Sequence, residues 1–214
     1  MTNTRPVRQP KGQPTGGQFA PKANPEADLT LEPSWPGLTH DAWTYADKSS
    51  TEQWLDAQGR LQDPPDGTPA LRRSHPDGSI KHEEHCQAGL AQDPPDGSPA
   101  YRRLHPDGVV EVEEHWQDGY LQDLPDGAPA MRRYRSDGAV ASDVHCQAGQ
   151  LQDPPDGTPA VRWFHPNGTV ESEEHWQAGR LQDPPDGTPA VRWFHPNGTV
   201  ESEEHYQAGR KIFR

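Results

Sequence analysis

The sequence predicts an all-β protein: tandem 30-residue β-hairpin repeats forming an elongated, twisted single-layer sheet behind a disordered N-terminal tail. Three observations carry this. First, the stretch 151–180, LQDPPDGTPAVRWFHPNGTVESEEHWQAGR, recurs at 181–210 with one change, Trp176 to Tyr206. Near-copies begin at Leu61, Ala91 and Leu121, so the period is 30 without insertion. Second, short β-prone runs alternate with Pro and Gly, which together make about a fifth of the chain and leave no room for a helix. Third, only 29% of residues are hydrophobic, too few for an ordinary globule. A repeat array can order on so thin a core because each copy buries its surface against its neighbours.

The chain divides into four parts. Residues 1–40 have no hydrophobic period and are rich in Pro, Gly, Gln and Ala, as expected of a disordered tail. Residues 41–60 read as a worn half-repeat, with two strand-like pieces around Asp47–Ser50; an atypical end unit is what a stack needs as a cap. Five repeats fill 61–210, and 211–214 form the C-terminal end.

Within a repeat, PAVRWF (159–164) is the outgoing strand. HPNG (165–168) is a type I turn with a bulge, its glycine in the left-handed region. TVESEEHWQ (169–177) is expected to return as one strand. AGR is a second turn, and the proline-rich LQDPPDGTP is a connector expected along the sheet edge. Simple alternation puts Ala160, Arg162 and Phe164 on one face with Val170, Ser172, Glu174 and Trp176, so that Arg162 reaches Glu174. Twelve positions are the same in all five copies, mostly Gly, Pro, Asp and Gln. Such residues fix turns and do not assemble a reaction centre.

The repeats resemble those of the MORN type, in particular a bacterial variant running W-x-x-G-x-x-H-R-x-x-G-P-A. Trp176, Gly179, Gln182, Asp183, Gly187, Pro189 and Ala190 take those places. Gln-Asp stands where the pattern has His-Arg, Thr188 separates Gly187 from Pro189, and the period is longer than usual for the family. The resemblance spans about 42–210 and implies a β-hairpin array used for protein contacts or scaffolding. A second resemblance lies in the tail: GQPTGGQFAPKANPEADLTL looks like a leader on varied proteins of high-GC Gram-positive bacteria and their phages.

Charge narrows the partners. Residues 1–22 hold Arg5, Arg8, Lys11 and Lys22 and no acid, leaving 16 basic and 33 acidic side chains, a net −17, on the rest. Such a body repels phosphate backbones, so nucleic acid is not an expected partner of the repeats. No apolar run is long enough to span a membrane, and no apolar export segment is present. Cys86 and Cys146 occupy the same repeat position two repeats apart, roughly 20 Å, too far for a disulfide. Free thiols without an export signal imply a cytoplasmic protein.

Two sets of side chains are candidates for function, neither of them catalytic, and no cofactor is expected. Trp163, Phe164, Trp193 and Phe194 stand where earlier copies read Arg73-Ser74, Arg103-Leu104 and Arg133-Tyr134. One aromatic of each pair must point to each face, and an exposed aromatic among polar groups is a typical anchor for a protein partner. The alternative is divalent-cation binding. Each return strand carries a histidine two residues after an acid, as in Glu173 with His175 and Glu203 with His205, a spacing that puts both on one strand face. Near-identical tandem copies favour a repeated binding surface over an enzyme, which needs one asymmetric constellation.

Overall fold

The computed structural model describes residues 35–213, and every regular element among them is a β-strand. Thirteen strands form one antiparallel sheet whose spatial order follows the chain. Thr39–Thr44 and Ser50–Leu55 make the first hairpin. Each repeat then adds an outgoing strand, such as Val161–Phe164, and a return strand, such as Val170–Glu174. The last return strand, Val200–Gln207, is joined by Arg210–Ile212. The tail expected at 1–40 lies outside the described residues as far as 34. Its last residues are ordered instead: Leu38 N–H bonds the Trp35 carbonyl at 3.0 Å, and Thr39 opens the first strand.

The hairpin turn forms as its residues dictate. Gly168 has φ 83°, a conformation without cost only for glycine. Asn167 Oδ1 accepts the Thr169 N–H at 3.1 Å. Behind the turn the ladder is irregular: Phe164 opposes Val170, but Trp163 opposes Ser172. Glu171 is thus the extra residue of a β-bulge, and every repeat has one in the same place.

The bulge corrects the expected faces. Because it shifts the register by one, Arg162 lies opposite Glu173, not beside Glu174, and Trp163 shares its face with Ser172. Val170 and Trp176, expected on one return strand and on one face with Phe164, belong to separate strands. In the first four repeats the return strand breaks at the histidine, and the next two residues pair elsewhere. Trp176–Gln177 pairs with Arg180–Leu181 in a short ribbon beside the sheet, and three equivalent ribbons precede it. The ribbon turns through Ala178 and Gly179 at φ 49° and 72°, two left-handed residues in succession.

The ribbons form a second column. Gly179 N–H bonds the Leu151 carbonyl of the preceding ribbon at 3.0 Å, and the same bond recurs from Gly89 to Gly209. The core is thin. It contains Ala70, Ala100, Ala130, Ala160 and Ala190, each wholly buried, with Leu71, Val112, Val161 and Val191. Each of these alanines is wholly enclosed, so a larger side chain would have to displace its neighbours.

Candidate interaction surface

The invariant polar residues form one repeated hydrogen-bonded unit. Asp153 Oδ1 accepts the backbone N–H of Ala160 at 2.8 Å and of Trp176 at 2.9 Å, while Oδ2 meets His175 Nδ1 at 2.7 Å. The same three bonds are made by Asp63, Asp93, Asp123 and Asp183. Gln152 Oε1 accepts from Ala178 N–H at 2.9 Å, tying the ribbon turn to the connector. One carboxylate therefore joins the connector, the start of the next strand and the break in the return strand. The connectors cross between ribbon and sheet; they do not merely line an edge.

These bonds decide what the histidines can do. His175 is buried and directed at Asp153, while Glu173 accepts from Arg192 at 2.8 Å. The expected partnership of Glu173 with His175 is thus replaced by two separate ones. His205 likewise meets Asp183 at 2.7 Å, whereas Glu203 stands opposite Arg192. Among the described residues no three His, Cys, Asp or Glu side chains converge in a metal-binding group.

Glu173 and Arg192 belong to a longer pattern. Arg72, Arg102, Arg132, Arg162 and Arg192 alternate across the sheet with Glu83, Glu113, Asp143, Glu173 and Glu203, each opposite the next. Glu83 is clamped between Arg72 and Arg102 at 2.8 and 2.6 Å, and Asp143 between Arg132 and Arg162 at 2.6 and 3.6 Å. Burial works to raise the Glu83 pKa, but bonds from Arg102 and Arg72 outweigh it and hold the carboxyl below its ordinary range. The alternation was present in the sequence as an invariant Arg and an acid at a fixed spacing, but without the bulge its register was wrong.

Phe164 and Phe194 lie on this charged face, with the Arg162 and Arg192 guanidiniums over their rings at 5.7 and 5.4 Å. They are half-buried there. Trp163 and Trp193 take the opposite face. Trp163 is 43% exposed and Trp193 half-buried, and Ser172 lies directly between them in the ladder. Neither indole N–H has a hydrogen-bond partner among the described residues, although Trp116 and Trp176 donate theirs to Glu114 and Glu174 at 3.1 and 3.0 Å. The same row begins with Arg73, Arg103 and Arg133, so it changes from basic to aromatic along the array.

The cysteines hold no reactive position. Both are free and buried. Burial, reinforced by the Glu84 and Asp63 charges, pushes the Cys86 thiol up to about 12. Burial with the Asp123 charge pushes Cys146 to about 11. A thiol so disposed is neither a nucleophile nor a ready metal ligand.

The family model described as the MORN repeat variant matches residues 160–178 and 190–208, the outgoing strand to the ribbon turn of the last two copies. The matched segments contain all four aromatic candidates. Repeats of that type generally serve protein or membrane interactions. No helix among the described residues is long and apolar enough to cross a membrane. No curated protein matches the chain.

Proposed function

We propose that the chain is a non-enzymatic interaction or scaffold protein whose rigid sheet presents Trp163 and Trp193 to a protein partner. The observation that carries this reading is the 43% exposure of Trp163, a large aromatic left open on a body of strong negative charge, in one row with a second tryptophan two strands away. Its backbone is fixed by strands on both sides, so presenting it costs a partner little ordering. A body of this charge favours a protein partner over nucleic acid. The repeat match supports the same class of role.

The test compares the intact chain with a Trp163→Ala, Trp193→Ala variant as immobilised bait, with and without chelator. A protein retained by the intact chain in both conditions and lost by the variant supports the reading. Retention indifferent to both tryptophans overturns it.

A further inference from the structure

We propose that the open edge of the last return strand, Val200–Glu204, docks an extended segment of another protein that sets an arginine opposite Glu203, in the pattern small–apolar–Arg–x–aromatic. The array itself supplies the template. Residues 169–175 and 199–205 are identical in sequence. The return strand Val170–Glu174 is paired on both sides, with Val161–Phe164 and with Val191–Phe194. On the second side Ser172 faces Trp193, Glu173 faces Arg192 and Glu174 faces Val191, and the His175 N–H reaches the Ala190 carbonyl at 2.7 Å. The same register recurs at three earlier junctions. Val200–Glu204 has the same residues but pairs with Val191–Phe194 alone. Arg210–Ile212 covers only His205–Gln207, and among the described residues nothing pairs with the strand beyond that point.

The edge is open wherever its twin is closed. Ser172 is buried and Ser202 exposed; Glu173 is half-buried and Glu203 exposed; Val170 is half-buried, whereas Val200 is 48% exposed. Because the His175 N–H points to the following strand, the two-residue alternation of an antiparallel ladder sends the Glu173 N–H and C=O the same way, and those of Glu203 into the open. Charges and bulges often blunt a sheet edge. Here the same acids and the same bulge stand in a strand that is paired on both sides, so they do not exclude a partner.

Charge decides the occupant. Glu83 is held between Arg72 and Arg102, and Asp143 between Arg132 and Arg162. Glu203 has only Arg192 opposite, and that arginine is bonded to Glu173. An incoming strand with arginine at this place completes the ladder, and an aromatic two residues on shares the face of Val200, as Phe194 follows Arg192. A second copy does not supply this. Gln53 and Glu52 pair with Asp41 and Ala42 on one side and with Leu71 and Arg72 on the other, so the sheet's first edge has lost the apolar–Arg pair. Stacked head to tail, it would set Ala42 against Glu203 and Asp41 against Glu204, with no arginine and two acids face to face.

The experiment titrates the full chain with a fluorescent peptide of sequence PAVRWFH, that of 189–195, read by anisotropy. It is repeated with the protein variant Glu203→Arg and with a peptide carrying the change Arg192→Glu. We expect the native pair and the doubly reversed pair to bind, and each mismatched pair to bind about fivefold or more weakly. Binding of the reversed pair also shows that the variant is folded. No binding of the native peptide overturns the proposal, as does equal binding across the four pairs. Self-association of the chain alone that Glu203→Arg abolishes assigns the edge to a second copy and overturns it too. Glu203 lies on the face opposite Trp163, so failure here leaves the tryptophan surface standing.

Discussion

Ala178 adopts φ 49°, a region where a side chain with a Cβ clashes with its own backbone. Ala88, Ala148 and Ala208 do the same, and the second copy uses Asp118. A two-residue turn of this kind favours Asn-Gly or Gly-Gly. We therefore expect Ala178→Gly to raise stability by about 0.5–1 kcal/mol, read as a higher urea midpoint. The two aspartates of the connector make an opposite pair. Asp153 holds two backbone N–H groups and an imidazole, whereas Asp156 is exposed and caps one N–H, that of Thr158 at 2.9 Å. Asp153→Ala should cost about 2–4 kcal/mol and Asp156→Ala under about 1, by the same denaturation series. The motif repeats both residues faithfully, yet only one of them binds the repeat together. Trp176 and Tyr206 make the same contact. Each donates to the glutamate two residues before it, Tyr206 O–H to Glu204 at 2.8 Å, as the Cys86 thiol does to Glu84 at 3.7 Å.

At the level of the strand pair, the turn was legible and the register was not. His-Pro-Asn-Gly announces a tight turn through proline's fixed φ and glycine's freedom, and the turn forms there. Nothing in the local pattern marks Glu171 as the bulged residue, because a bulge is chosen by which register satisfies both neighbouring strands. Missing it moved Arg162 by one position and hid the charge ladder. The breaks at His85, His115, His145 and His175 were hidden for a similar reason: each of these histidines gives its N–H to an alanine carbonyl of the following repeat, 15 residues on, and His205, which has the same aspartate but no following repeat, stays within an unbroken strand. Two measurements follow at this scale. Asp143 is 3% exposed between two arginines, so Asp143→Asn should cost about 1–3 kcal/mol, and Glu203→Gln at the open side of the last strand much less. Acid should weaken the fold as well. Burial opposes ionisation of Asp183, but the N–H of Tyr206, His205 and the N–H of Ala190 hold its pKa down, as the arginines do for Glu83. Folded values below unfolded ones mean that this stability is complete above ~4 and is lost as pH falls through the folded values. Glu114, raised by burial, acts in the opposite sense at one position. The urea midpoint should therefore decline below pH ~4.

The whole molecule is additive. Consecutive copies meet through the same strand pairing, the same carboxylate unit and the same ribbon contact, so any repeat fits between any two others. Deleting 151–180 should leave a folded protein shorter by two strand spacings, ~10 Å in maximum dimension by small-angle scattering. Deleting fifteen residues from within a repeat should abolish cooperative unfolding. The aromatic end was visible as a change of residue type between copies, but what stands beside Trp163 depended on the bulge, which sets Ser172 opposite it in place of an acid.

The sameness of the last two copies carries a cost during folding. The strand Val161–Phe164 and the strand Val191–Phe194 have the same residues, and the return strand Val170–Glu174 pairs with both. A newly collapsing chain has no chemical means of telling one from the other, nor its own copy from that of a neighbouring molecule. Refolding at rising protein concentration should thus trap molecules that have exchanged hairpins, well-bonded and stable, yet joined to the wrong neighbour.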